Sequence, residues 1–179
     1  MVLKKSPLPG LDQTGLKLAS GARVLVIASP YYEKITSHLV AGAADVFAAN
    51  SCNFDRIDVP GALEIPQALR QAVDAGLIGG SGKTRYAGAI ALGCVIRGET
   101  SHYDIVCNNA NHWLMESVIH HSIPFGNAIL TVDTEAQALA RARGGAAGKG
   151  GDAARACLNL IWLRQQLSPA VSIVKAKRS

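Results

Sequence analysis

His102 is the residue best placed to do chemistry. It stands in Gly98-Glu99-Thr100-Ser101-His102-Tyr103-Asp104, directly after the uncharged, apolar run 87–95. An apolar run of that length reads as a strand buried on both faces, as in a parallel sheet. Arg97-Gly98 is a turn signal. Thr100 or Ser101 can then cap a helix, with Asp104 in its first turn if Ser101 is the cap. The chain thus runs strand, short polar loop, helix N-terminus. Backbone N–H groups and the positive end of the helix dipole converge there and suit an anion such as phosphate. A positive helix end disfavours imidazolium, so His102 is expected to be neutral and able to accept a proton. An isolated histidine in a first turn would read as a surface residue; the loop around this one favours a functional reading. Arg97 lies in the same loop, where its simple role is to hold the chain without touching a ligand.

Other chemical signals are weaker. His112, His120 and His121 do not form an HExxH pair and read as surface or interface histidines, so no metal site is expected. Gly79-Gly80-Ser81-Gly82 precedes Lys83-Thr84 but lacks the full GxxxxGK[ST] pattern, and reads as a connection. Cys52, Cys94, Cys107 and Cys157 are far apart without CxxC spacing, which suggests reduced thiols and no disulfide framework. Cys94 reads as a buried apolar residue, not a nucleophile.

The elements that must position these residues follow from hydrophobic periodicity. Val24–Ala28 is a β-branched first strand, followed by the loop Ser29-Pro30-Tyr31-Tyr32. Ile35, Leu39, Ala43, Val46 and Phe47 recur at helical spacing over 33–49. Ile57-Asp58-Val59 is a short second strand, Pro60-Gly61 turns the chain, and Ala62-Leu63-Glu64 opens a helix with Ile65, Ala68, Leu69, Ala72 and Val73 on one face. Strand three is 87–95, its helix runs towards His121, and 124–132 is a fourth strand. Asp133-Thr134-Glu135 begins another helix, the glycine-rich stretch 143–151 breaks it, Asp152 caps the last helix, and Pro169 stops that helix.

This alternation implies right-handed βαβ units: a single flavodoxin-like, three-layer α/β/α domain on a four-stranded parallel sheet. The ligand crevice of such a fold lies outside the carboxyl ends of the strands. Tyr31, Gly61–Glu64 and Gly98–His102 all follow strands, so they are expected to converge. Asn127 is not at a strand end, so any contact it makes with a ligand would come from a neighbouring subunit. Residues 1–20, interrupted by Pro7, Pro9, Gly10 and Gly15, read as a flexible arm; 21–168 form the domain; 169–179 are a basic tail.

Composition narrows the class. The chain has 179 residues, 49% apolar and 17% charged, enough for one domain with a sizeable core and buried subunit interfaces. The net charge of +5 is not gathered into one stripe; part sits in Lys4-Lys5 and in Lys175-Ala176-Lys177-Arg178. Solvated tails explain it better than nucleic acid, and the remainder suits a phosphorylated substrate. There is neither an apolar h-region after Lys5 nor an apolar run of membrane length, so the expected setting is cytoplasmic, with no membrane partner.

Taken together, Val59-Pro60-Gly61-Ala62-Leu63-Glu64-Ile65-Pro66, Ala91–Asp104, Asn127–Val132, Glu135–Ala142 and Gly148-Lys149-Gly150 resemble the 6,7-dimethyl-8-ribityllumazine synthase family over about residues 20–168. The resemblance implies condensation of 5-amino-6-(D-ribitylamino)uracil with 3,4-dihydroxy-2-butanone 4-phosphate, giving the lumazine, phosphate and water in the penultimate step of riboflavin synthesis. It implies no metal or redox cofactor. By motif, His102 would transfer protons, and Glu99 and Thr100 would face the phosphate. Arg141 would supply its counter-charge, with Lys149 a weaker candidate. Ala62, Leu63 and Glu64 with Cys94, Val95 and Ile96 would line the ribitylaminouracil pocket, and Tyr31 would stack on the heterocycle, with Tyr32 competing for that role. Asn127 and Arg141 would come from the adjacent subunit of a homo-oligomer, a pentamer or a shell of twelve pentamers, with riboflavin synthase as a functional partner. The short glycine-rich break before the last helix favours the shell. Two departures stand out: Ser29-Pro30-Tyr31 replaces the family's Gly-Arg-aromatic pattern, and Asn127 stands where some relatives carry Phe. A flavin- or lumazine-binding protein on the same fold would keep Tyr31 but would not need His102 and Arg141, so their joint presence favours an enzyme.

Overall fold

The computed structural model describes residues 21–80 and 84–167. Four strands form one parallel sheet in the order β2-β1-β3-β4: β1 Arg23–Ala28, β2 Asn53–Asp58, β3 Gly88–Ile96 and β4 Phe125–Val132. Five helices connect or follow them: α1 Glu33–Ala49, α2 Glu64–Asp74, α3 His102–His120, α4 Glu135–Ala142 and α5 Lys149–Gln166. The arrangement is the expected three-layer, flavodoxin-like one. The arm at 1–20, the stop at Pro169 and the basic tail lie outside the described residues, as do Ser81 and Gly82 of the glycine-rich connection.

Alternation along the strands builds two cores. Val24, Val26 and Ala28 of β1, with Ile90, Leu92 and Cys94 of β3, face α1, α4 and α5. Leu25 and Ile27, with Ala89 and Ala91, face α2 and α3. Successive side chains of a strand point to opposite faces, so an unbroken apolar run is what a sheet covered on both sides requires. The helices supply the matching stripes: Ile35, Leu39, Ala43, Val46 and Phe47 from α1, and Ile65, Leu69 and Ala72 from α2.

Several boundaries differ from the expectation. β2 is longer than 57–59, because all of Asn53–Asp58 pairs in register with β1, from Arg23 opposite Asn53 to Ala28 opposite Asp58. It is an edge strand and largely exposed, so it carries no apolar run to betray its length. α2 begins at Glu64; Ala62 and Leu63 form the turn before it, with the Glu64 N–H donating to the Gly61 carbonyl at 3.2 Å. Asp152 does not cap the last helix. α5 starts at Lys149 with Gly148 at its N-cap, and Asp152 lies in the first turn, pairing with Lys149 at 2.8 Å and Arg155 at 2.6 Å.

Gly150 and Gly151 are tolerated inside α5 for a reason propensity alone does not show. A β-carbon at Gly150 would overlap the Leu39 backbone of α1, with the Leu39 carbonyl carbon at 2.6 Å. Gly126 of β4 meets α5 in the same way, the Ala153 carbonyl carbon lying 2.7 Å from where its β-carbon would stand. The helix therefore seats backbone against backbone on both α1 and β4, and only glycine permits that approach.

Candidate active site

The loops after β1, β2 and β3 meet outside the carboxyl ends of the strands and enclose a pocket of about 410 Å³. Each loop is anchored before it reaches the pocket. After β1, the Ser29 N–H donates to the Leu92 carbonyl at 2.9 Å and the Thr36 hydroxyl to the Ser29 carbonyl at 3.0 Å. Pro30 then opens a short helical turn, Pro30–Tyr32, that presents two tyrosines. Proline suits that position because its fixed φ is already helical. Tyr31 is 73% exposed and leans edge-on against Tyr32, ring centroids 5.1 Å apart. Tyr32 is half-buried against the α1 core, so Tyr31 is the freer ring. Burial, and then the neighbouring Tyr31, push the Tyr32 phenol above its ordinary pKa.

After β2, the Val59 N–H continues the ladder by donating to the Ala28 carbonyl at 2.9 Å. Pro60-Gly61 then turns the chain so that Gly61, Ala62, Leu63 and Glu64 line the pocket. The end of β3 supplies Cys94, Val95 and Ile96 as one wall, and the following loop and first turns of α3 supply Gly98, Thr100, His102, Tyr103 and Val106. Burial, followed by the nearby Cys107, pushes the Cys94 thiol up to about 11, so at neutral pH it is a protonated apolar wall residue.

α3 is a helix of 19 residues whose N-terminus opens at this pocket. Of the two expected caps, Ser101 holds the N-cap position with helical backbone angles and makes no side-chain capping bond. Thr100 Oγ1 accepts from the His102 N–H instead, at 3.4 Å. His102, the first helical residue, is exposed at the rim. The pocket thus combines an aromatic face, a carboxylate, an imidazole and a helix N-terminus. That set can hold a flat polar heterocycle, receive an anion and move protons between them.

Four expected site residues are not among those lining this pocket. Glu99 lies in the same loop between two that do, and is exposed. Asn127 lies on β4 at the sheet edge. Its side chain donates to Asn111 Oδ1 at 2.6 Å and accepts from the Ile129 N–H at 2.8 Å. Arg141, exposed on α4, donates to the Gln137 carbonyl at 3.1 Å. Lys149 is occupied by Asp152. Tyr103 and Val106 are pocket residues that the sequence reasoning missed. Their signal was helical spacing, since 103, 106, 110 and 114 share the face that is buried at Ala110 and Leu114.

A larger, open groove of about 650 Å³ lies between α2 and α3, lined by Pro66, Arg70, Asn109, Trp113 and Glu116 among others. It lies away from the strand ends, and Arg70 is already paired with Asp74 at 2.9 Å. Among the described residues, no group of three or more His, Cys, Asp or Glu could hold a metal ion, and no helix is long and apolar enough to cross a membrane.

The family model of 6,7-dimethyl-8-ribityllumazine synthase matches residues 21–165. The chain is 49% identical over 171 residues to the 6,7-dimethyl-8-ribityllumazine synthase of Beijerinckia indica subsp. indica, covering 96% of this chain and 91% of that protein. It is 46% identical over 147 residues to the enzyme of that name from Azorhizobium caulinodans, covering 82% and 89%. With 6,7-dimethyl-8-ribityllumazine synthase 1 of Rhodopseudomonas palustris it shares 42% over 167 residues, covering 93% and 98%.

Proposed function

The chain belongs to the 6,7-dimethyl-8-ribityllumazine synthase family, and from that premise we propose that it condenses 5-amino-6-(D-ribitylamino)uracil with 3,4-dihydroxy-2-butanone 4-phosphate. It is an enzyme of riboflavin biosynthesis, a transferase, and the products of the proposed step are 6,7-dimethyl-8-ribityllumazine, phosphate and water. The observation that carries this reading is the meeting of Tyr31, Glu64, Thr100 and His102 in one pocket, brought from three separate loops.

The chemistry matches the groups present. Tyr31 stacks on the pyrimidine, while Ala62, Leu63 and Glu64, with Cys94, Val95 and Ile96, wall the ribitylaminouracil. The butanone phosphate seats its anion at the N-terminus of α3 beside Glu99 and Thr100, where helix dipole and backbone N–H groups favour negative charge. The 5-amino group attacks the ketone, water leaves as an imine forms, phosphate is eliminated to leave an enol that tautomerises to a ketone, and the ribitylamino nitrogen closes the ring on that carbonyl with loss of a second water. His102 carries protons between these stages, a role suited to imidazole at neutral pH. Holding the two substrates side by side supplies much of the acceleration.

Elimination of phosphate calls for fixed positive charge, and Arg141 provides it from an adjacent subunit, with Asn127 and more weakly Lys149 beside it. Two features support a site shared between copies. Arg141 and Asn127 are exposed and apart from the pocket of their own chain. The outer face of α3 leaves Ile105, Trp113, Met115 and Ile119 at 47–71% exposure, an apolar surface that suits a subunit contact. The assembly is a pentamer or a shell of pentamers, in the cytoplasm, with riboflavin synthase as the consumer of its product.

The test is to mix both substrates with purified protein and follow lumazine absorbance beside an enzyme-free blank, because the uncatalysed condensation also proceeds. Acceleration above the blank is expected. No acceleration, with lumazine or flavin still bound, would make this a binding protein on the same fold.

A further inference from the structure

Arg97 is the first residue after β3, and its side chain ties together three segments at the mouth of the pocket. Its backbone N–H donates to the Val132 carbonyl at 2.9 Å, extending the β3–β4 ladder by one rung. Its Nε donates to Asp133 Oδ1 at 3.2 Å, in the turn between β4 and α4. Its Nη1 and Nη2 reach Asp104, in the first turn of α3, at 3.4 Å. The guanidinium also lies over the ring of Tyr103, 4.0 Å from its centroid, and Tyr103 lines the pocket.

We propose that Arg97 is a positioning residue for the condensation, the clamp that sets where the Gly98–Ser101 loop, His102 and Tyr103 stand against bound substrate. The proposal rests on the synthase reading of the pocket. Arg97 and Asp104 bracket the four loop residues together with His102 and Tyr103, and their ion pair closes that loop from the outside. Within the loop itself, the Thr100–His102 bond is long at 3.4 Å. With two carboxylates and a ring face engaged, the guanidinium is committed to protein partners. It is absent from the pocket lining, so it acts through Tyr103 and His102 and not by touching the substrate phosphate. Arginine suits this work because its planar fork can meet two carboxylates while its face stacks on an aromatic; a lysine ammonium cannot do both.

Three variants separate this role from its alternatives: Arg97→Met, Arg97→Lys and Asp104→Asn, with the double variant Arg97→Met/Asp104→Asn closing a cycle. Misplacing a catalytic group by a fraction of an ångström costs kcat, so Arg97→Met should lower kcat about tenfold or more. KM for the butanone phosphate should stay within about twofold, because no direct contact is lost. Arg97→Lys should recover little of the loss, and the double variant should be no worse than Arg97→Met alone, as expected for two ends of one clamp. Melting temperature and assembly size are measured on each variant. If Arg97→Met does not fold, Arg97→Lys and Asp104→Asn carry the same kcat-against-KM comparison. A large rise in KM for the phosphate substrate, largely restored by Arg97→Lys and absent in Asp104→Asn, would make Arg97 a phosphate ligand and overturn the proposal. Wild-type kcat in Arg97→Met would overturn it as well. Wild-type protein is run first against the blank: failure there removes the synthase reading, whereas an active wild type with unaffected variants removes only the clamp.

Discussion

Gly126→Ala adds one methyl group to β4 and should cost far more than its size suggests. The new β-carbon would overlap the Ala153 carbonyl oxygen and stand 2.7 Å from its carbon, where ordinary contact begins at 3.4 Å. The oxygen is the nearer atom, so α5 would have to retreat by more than about 1 Å. It cannot hinge away at its start, because Gly150 is seated on the Leu39 backbone and Gly151 on the Ala146 backbone. The retreat would therefore open the contact made by Ala153, Ala154, Cys157, Leu158 and Ile161, all buried. Overpacking of a close-packed core costs about 1–3 kcal/mol, and a clash with backbone lies towards the top of that range. For a chain of this length that corresponds to a fall in Tm of roughly 5–10 °C. Thermal unfolding followed by circular dichroism, at one protein concentration, measures it. Gly98→Ala is the control, since nothing lies within 4 Å of its β-carbon position and its φ is not in the left-handed region. It should leave Tm unchanged or slightly raised. Equal Tm values for the two variants would refute the backbone-to-backbone seating of α5.

Tyr31→Ala should raise KM for the ribitylaminouracil roughly two- to tenfold, the value of an aromatic stack, with a much smaller effect on kcat; initial rates at varied pyrimidine concentration check it. Asp55 gives a pH-dependent prediction. Partial burial works to raise its pKa but is outweighed by hydrogen bonds from Tyr86, Arg85 and Arg23, which hold the carboxyl below its ordinary 3.8. A carboxyl depressed in the folded state contributes stability that is present above 3.8 and lost as pH falls through the lower folded value. The Tm difference between wild type and Asp55→Asn should therefore be full at pH 5–7 and shrink below about pH 4; a difference independent of pH would contradict it.

How far the sequence reached follows from what each segment had to bury. β1 and β3 lie between two layers of helices, so Val24–Ala28 and the run 87–95 are continuously apolar and their boundaries are nearly legible. β2 is an edge strand whose polar residues face outwards, so only Ile57-Asp58-Val59 gave a strand signal. Asp152 looked like a cap because capping residues are chosen by type. The structure begins α5 earlier, at Lys149, followed by Gly150 in close approach to Leu39 of α1 and Gly151 in close approach to Ala146. Tyr31, Gly61–Glu64 and Gly98–His102 were legible as one cluster because strand ends converge in a parallel sheet. Arg97 was legible as a residue that holds its loop, but its partners were not. It joins Asp104 and Asp133, and the second of these is 36 positions away, a separation local patterning does not span. Asn127 and Arg141 stand outside the pocket of their own chain; the reach proposed for them into a neighbouring copy's pocket rests on the resemblance, because periodicity within one chain encodes no assembly.

In the proposed function His102, at the N-terminus of α3, carries protons for a condensation in the pocket at the strand ends. The measurement that tests it most directly is the rate of lumazine formation by wild type and by His102→Ala, each corrected for the enzyme-free blank. Proton transfer by a positioned side chain is worth about 10²–10⁴-fold, and part of the acceleration here comes from holding the substrates together. Wild type should accelerate the reaction clearly, and a folded His102→Ala should lose at least about tenfold in kcat. Equal acceleration by both proteins would contradict it, leaving the pocket as a site of condensation in which His102 moves no proton that matters.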